Sequence, residues 1–281
     1  MLLFVALAVI SCSKNINTID NPSEDRVTLR IKIKNILTVE TKGIQHDANY
    51  LNSDIKAVLL NEDGQVYETF NIRGQKPYLK TIYLNSESLS LYTAWNENEG
   101  TIDDFTAVPI NIESQIDYLY GTPATGINKY NPDAEISLQH ALTAINMKLM
   151  PGNYGGEGNI SSISIKSPGL GVSGKLNAIT GEIYDIQGLN ENILIDKDRT
   201  LSYGINVSSY LLIPSGESSK ITFIIEMDGE TFEAETEEMI LSPGTNTQFT
   251  LKFSSQEMGS ITIHDETMTW VNNQHNMLDA K

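Results

Sequence analysis

ISLQHALTAINMKLM, residues 136–150, can be read two ways. Ile136 and Leu138 alternate with polar neighbours, as do Ile145, Met147 and Leu149, which is the period of a half-buried strand. The two sets are out of phase, and Leu138, Leu142, Ile145 and Leu149 would also line one face of a helix. A strand broken by a bulge or a helical turn around His140–Ala144 satisfies both patterns. With that choice the chain has no long helix, and an all-β fold is expected.

Outward from this segment the strand signature recurs. VTLRIKIKN (27–35) alternates strictly, with Val27, Leu29, Ile31 and Ile33 on one side and Thr28, Arg30, Lys32 and Lys34 on the other. Residues 55–60 and 66–72 flank NEDGQ, whose Asp63-Gly64 is a hairpin signal. YLKTIYL (78–84), LSLYTAW (89–95) and FTAVPINI (105–112) follow as strand-like runs. The second half brings ISSISIKS (160–167), INVSSYLLIPS (205–215), KITFIIEM (220–227), a turn at Asp228-Gly229, ETFEAET (230–236), TQFTLKF (247–253) and SITIHDETMTW (260–270). Short strands divided by turn residues at this spacing indicate β-sandwiches. GTPATGINKYNPD (121–133), rich in Gly, Pro and Asn, is expected to be a linker between two of them. The predicted division is an N-terminal sandwich over 27–120 and a C-terminal one over 134–281.

Ahead of these strands, residues 2–10 are apolar without a break. A spanning helix needs about 20 residues, whereas the core of a signal peptide is this short. Val9-Ile10-Ser11-Cys12 then resembles a bacterial lipobox, and Cys12 is the only cysteine. The expectation is a signal peptide over 1–11, an acylated Cys12 anchoring the protein in the outer membrane, and a polar linker to residue 26. Each buried acyl CH₂ contributes ~0.8 kcal/mol, so stable anchoring takes more than one chain. No Lys or Arg precedes the apolar run, which lacks the basic segment of a signal peptide and points to a true start upstream.

Composition narrows the function. Lys+Arg number 19 against 36 Asp+Glu, a net charge of -17 over 281 residues. Such a surface repels phosphate backbones, so nucleic acid is not an expected partner. One cysteine excludes an internal disulfide and a Cys-based zinc cluster. GLGVSGKL (169–176) fits G-x-x-x-x-G-K, but Leu176 stands where a phosphate loop needs Ser or Thr, and KLNAITGEI reads as strand and turn. It is expected to be a plain glycine-rich loop. His46, His140, His264 and His275 are scattered without metal-ligand spacing and are assigned structural or surface roles. Glu233, Glu235 and Glu237 recur every second residue, as on the wet face of a strand. No catalytic, cofactor-binding or metal-binding residue is assigned, and no enzyme is expected.

At DYLYGTPATG (117–126) and AEISLQHALTAINMKL (134–149) the pattern becomes specific. It resembles the fimbrillin superfamily of Bacteroidota-type lipoproteins through Asp117, Leu119, Tyr120, His140, Ala141, Leu142, Ile145 and Leu149. Ala144 stands where that family usually has Lys. LSLYTAWNEN (89–98), SGKLNAITGEI (173–183), YLLIPSGESSKITFII (210–225), LSPGTNTQFTLKF (241–253) and a last strand ending at Trp270 extend the resemblance over nearly all of the chain after residue 27.

The resemblance implies two tandem transthyretin-like β-sandwiches, exported as a lipoprotein to a cell-surface fimbria. It also implies polymerisation by β-strand addition, once a surface protease has removed an N-terminal strand. Implied partners are other fimbrial subunits in a homo- or hetero-polymer, the membrane through the lipid, and a host surface protein or glycan. Lys42, in VETKGIQHDANYL (39–51), is the expected trypsin-like site, with Arg30 inside the strand as the alternative. The segment from residue 260 either donates a strand to a neighbour or closes its own sandwich. The competing expectation is a surface glycan-binding lipoprotein that does not polymerise; it needs an exposed aromatic platform, and Trp95 and Trp270 both fall in predicted strands.

Overall fold

A computed structural model describes residues 26–34, 54–73, 81–96, 102–254 and 260–269. Cys12, the signal-peptide stretch, nearly all of the linker to residue 26, Lys42, His46, Trp270 and His275 lie outside the described residues. Among the described residues the chain is all-β and has no helix.

The first strands are β1 (Val27–Thr28), β2 (Arg30–Lys34), β3 (Asp54–Asn61), β4 (Val66–Arg73), β5 (Tyr83–Leu84) and β6 (Leu89–Asn96). Then come β7 (Val108–Asn111), β8 (Tyr118–Gly121), β9 (Ala124–Ile127) and β10 (Asp133–His140). One sheet runs β2-β10-β8-β6-β3-β4, with β9 also on β6, while β1 pairs with β5. The Asp63-Gly64 hairpin forms as expected between β3 and β4, and Gly64 takes φ +76, which glycine adopts without steric cost. Leu29, Ile31, Ile55, Leu59, Leu91, Leu119 and Ile136 meet in one core. The alternate residues Val58, Ala94 and Tyr118 belong to a second core on the other side of the sheet. Burial on both faces explains why β3 reads AVLL at its centre instead of alternating.

The second set is β11 (Thr143–Met150), β12 (Asn159–Lys166), β13 (Leu170–Gly171), β14 (Ser173–Asn177), β15 (Glu182–Gln187) and β16 (Ile193–Thr200). It ends with β17 (Ile205–Pro214), β18 (Thr222–Met227), β19 (Glu230–Glu235), β20 (Thr245–Ser254) and β21 (Ser260–Thr269). A sheet β13-β17-β11-β20-β21 stands opposite a sheet β16-β12-β18-β19. Ile145, Met147, Leu149, Phe249 and Leu251 of the one share a core with Ile163, Ile165, Phe223 and Ile225 of the other. The Phe223 and Phe249 rings meet across it, tilted by 58° with centroids 5.0 Å apart.

The ambiguous stretch 136–150 is therefore two strands. The break is a bend at Ala141–Leu142, inside the expected window, and there the chain passes from the first large sheet into the second. This places the passage later than the Gly/Pro/Asn-rich 121–133. That stretch carries β9, and the residues that follow it, 134–140, pair with β8 and β2 of the first sheet. Its turn residues serve a tight turn between β9 and β10: Gly126 takes φ +71 and Asn128 bridges Asn131. Conversely Ile102, Phe105, Val108, Ile110 and Ile112 are buried in the second core, and β7 pairs with β14.

Candidate functional site

The two ends of the described chain are both edge strands. At the first end, β1 runs antiparallel to β5 and β2 runs parallel to β10, so one segment sutures two sheets. The switch is at Leu29, whose N–H donates to Ile82 O at 2.9 Å, while the Arg30 N–H donates to Pro132 O at 2.9 Å. Leu29 and Ile31 are 3% and 6% exposed, so both plug the first core. Arg30 adds a bidentate pair to Asp133, with Nε to Oδ1 at 2.5 Å and Nη2 to Oδ2 at 2.7 Å. That hydrogen bond holds the Asp133 carboxyl below its ordinary range. Both side chains stand mostly in solvent, where such a pair contributes little. A five-residue parallel pairing at an edge is the weaker kind of ladder. Withdrawing it would bare the contacts of Leu29 and Ile31 and one side of β10.

At the other end, β21 lies antiparallel to β20 along its whole length, from Thr245↔Thr269 to Ser254↔Ser260. It forms the last strand of its sheet. Phe249, Leu251 and Phe253 of β20 are buried in the second core, so the strand that β21 pairs with is firmly packed.

Between the ends, the chain is laced together where it changes sheets. His140 is fully buried with Nδ1 2.7 Å from Asp117 Oδ2. The Ala141 N–H donates to Tyr118 O at 2.9 Å, and the Gly244 N–H donates to Leu142 O at 2.8 Å. Gln115 behaves like one more strand residue: Nε2 donates to Leu211 O at 3.1 Å and Oε1 accepts from Leu211 N–H at 2.8 Å. Tyr120 lies against Gly181, where a Cβ would sit 2.4 Å from the ring.

A family model described as fimbrillin-like matches residues 61–265. The chain belongs to the fimbrillin-like family. Solved structures agree in fold. A candidate cell adhesion protein from Bacteroides uniformis superposes with a TM-score of 0.62 at 13% identity, over 89% of this chain and 100% of that one. One from Bacteroides ovatus gives 0.57 at 18% identity, over 89% and 100%. A fimbrial assembly protein from Parabacteroides distasonis gives 0.50 at 13% identity, over 85% and 99%. No curated protein matches.

In this fimbrillin-like chain the residues that carry the resemblance sit at the sheet change. Asp117 meets His140, Ala141 and Leu142 form the bend, and Tyr120 of the first motif meets Gly181 of SGKLNAITGEI. Of the expected cleavage residues, Arg30 lies in the β2 ladder, whereas Lys42 and the lipidation residue Cys12 fall outside the described residues. GLGVSGKL runs through β13 and β14 with no helix behind it. Its glycines permit close packing: a Cβ on Gly169 would meet Ser219 Oγ at 2.2 Å, and one on Gly171 would meet Ile186 at 2.2 Å. Among the described residues no group of His, Cys, Asp and Glu could hold a metal. Nothing in the sequence marks Gln115, Asp133 or a polar row on β11. In that row Asn146 Nδ2 donates to Asn246 Oδ1 at 2.6 Å and Asn146 Oδ1 accepts from Ser209. Partners about a hundred residues apart leave no local spacing to recognise.

Proposed function

We propose that this chain is a structural subunit of a cell-surface fimbria, exported as a lipoprotein acylated on Cys12 and assembled by β-strand addition once the lipidated N-terminal segment has been cut away. Membership of the fimbrillin-like family supports the fimbrial role and favours a structural protein over an enzyme. The observation that carries the assembly step is the N-terminal strand, which plugs the first core yet is held by a short edge ladder. Removing it leaves a groove along β10 that a strand from another subunit would fill, regaining the ladder and about 1.5–3 kcal/mol for each apolar side chain buried.

Lys42 suits the cut better than Arg30. Arg30 is engaged at its backbone with Pro132 and at its side chain with Asp133, and a protease needs its substrate strand free. Cutting after Lys42 also frees the whole of β1 and β2, whereas cutting at Arg30 would leave most of β2 in place. A glycan-binding role loses one of its two tryptophans, because Trp95 lies in the first core at 8% exposure. The test is to shear polymers from cells and sequence the N-terminus of their subunits. A start at Gly43, together with loss of polymers in Lys42→Ala, is expected. Polymers whose subunits retain residues 27–34 would refute strand removal. Loss of fatty-acid labelling in Cys12→Ala checks the anchor.

A further inference from the structure

We propose that β10, β11 and β20 form a mechanical clamp that lets the subunit bear tension; the setting rests on the fimbrial reading above, but the clamp is a property of the single chain. β10 is flanked by β2 and β8, and only Ala141 and Leu142 separate it from β11, which is flanked by β17 and β20. One covalent cord therefore runs through the interior of both large sheets. Load carried along β10 enters β11 at Thr143.

The direction of β20 decides how that load is resisted. β20 is parallel to β11, with Ala144 to Met150 beside Asn246 to Lys252. When β21 serves a neighbouring subunit, tension leaves β20 at Ser254. Thr143 and Ser254 are at opposite ends of this pair, so the strands must slide and every rung is loaded at once. β21 in its own place presents the reverse geometry. Thr269 lies beside Thr245, at the same end of the sheet as Thr143, so a pull on Thr269 opens rungs one at a time.

Side chains brace the same strands. Asn146 donates to Asn246 at 2.6 Å and accepts from Ser209, tying β17, β11 and β20 in one row. Thr143 Oγ1 donates to Thr245 O at 3.1 Å. The Asn146–Asn246 and Thr143–Thr245 contacts must break before β11 and β20 can shift by one register, while the Ser209 contact holds β11 to β17. At the exit, Phe253 packs edge-on against Phe232 at 5.5 Å, and Tyr154 tilts against it at 6.3 Å, which fixes the end of β20 against the opposite sheet.

Single-molecule force spectroscopy on the full chain tests the clamp. Cys12→Ser leaves no native thiol, and one handle goes on Tyr130→Cys, in the turn before β10 and 77% exposed. The second handle goes on Ser254→Cys or on Thr269→Cys. The first rupture with Ser254→Cys is expected at roughly two-fold or more the force with Thr269→Cys, where the first event releases roughly 50 Å of chain as β21 and its loop extend. Asn146→Ala with Asn246→Ala should lower the first force and leave the second unchanged. Equal forces in the two geometries, or a double variant without effect on the first, would overturn the clamp. Failure of the chain to polymerise in cells, with the force difference intact, would overturn strand addition and leave the clamp standing.

Discussion

The two edge strands differ in almost every respect that sets how firmly a strand is held. β2 is five residues long and parallel to its neighbour, and Leu29, Ile31 and the surface ion pair of Arg30 with Asp133 help to fasten its segment. β21 is ten residues long and antiparallel to β20 over its full length. Yet β2 is the better plug, since its segment bridges two sheets and closes a core. An edge that is weak in backbone terms and costly to leave empty suits replacement; an edge with a long, regular ladder offers a full-length strand to give.

Substitutions can break or sharpen this contrast. The largest effect is expected from Phe249→Ala in β20, the strand that β21 pairs with, about 3–5 kcal/mol for a fully buried aromatic, read by denaturant unfolding. If it merely loosened β21 while global stability held, β20 would not be the firmly packed partner described. Ile31→Ala should cost about 2–3 kcal/mol, at the lower end for a buried Ile because an edge can relax. Here hydrogen exchange should quicken over residues 27–34 and stay unchanged in β20, and uniform quickening would remove the distinction between the ends. Gly181→Ala forces φ +79 on an alanine and drives its Cβ into Tyr120, so about 1–3 kcal/mol of destabilisation is expected in calorimetry. A neutral result would mean that Tyr120 swings away freely.

The smallest effect belongs to the ion pair on β2. Arg30→Gln should cost no more than about 1 kcal/mol and less in high salt. Its pH dependence follows from Asp133, whose folded value lies below the ordinary 3.8. The contribution is present above pH 3.8 and is lost as pH falls through the lowered value. Acidification through that window should loosen β2 in the native chain and have little further effect on β2 in Arg30→Gln. An equal response in the two proteins would show that other carboxylates dominate. Asp228 titrates in the same direction, held low by the Gly158 amide and the Tyr154 hydroxyl, so the control must report on β2 alone.

Much of the fold was legible because alternation and turn chemistry are local. The strands at 27–34, 89–96 and 159–166 fall where side chains alternate, and Asp63-Gly64 and Asp228-Gly229 turn where hairpins need positive φ. The passage between sheets was not legible. Glycine and proline report how tightly the backbone turns, and residues 121–133 turn sharply while staying within one sheet. Nor could alternation foretell that β7 would pair with β14, or that β11 and β20 would run parallel, since a strand's pattern is the same whatever its partner. For the candidate site, Arg30 was singled out from sequence, but Asp133, the residue that occupies it, was not. Asp117 and His140 were singled out together as parts of one pattern, and the structure supplies the reason in their 2.7 Å contact.

The pairing of β7 with β14 also sets a schedule. As the chain emerges from its N-terminus, Ile102, Phe105, Val108, Ile110 and Ile112 appear well before Ser173–Asn177, against which residues 108–111 must pair, and before Leu211, which Gln115 holds. The first-made part of the molecule therefore cannot finish folding on its own. Its greasy segment waits for the later half, and such waiting intervals slow folding and invite aggregation. A nascent chain of this design gains from being held unfolded until its full length is out.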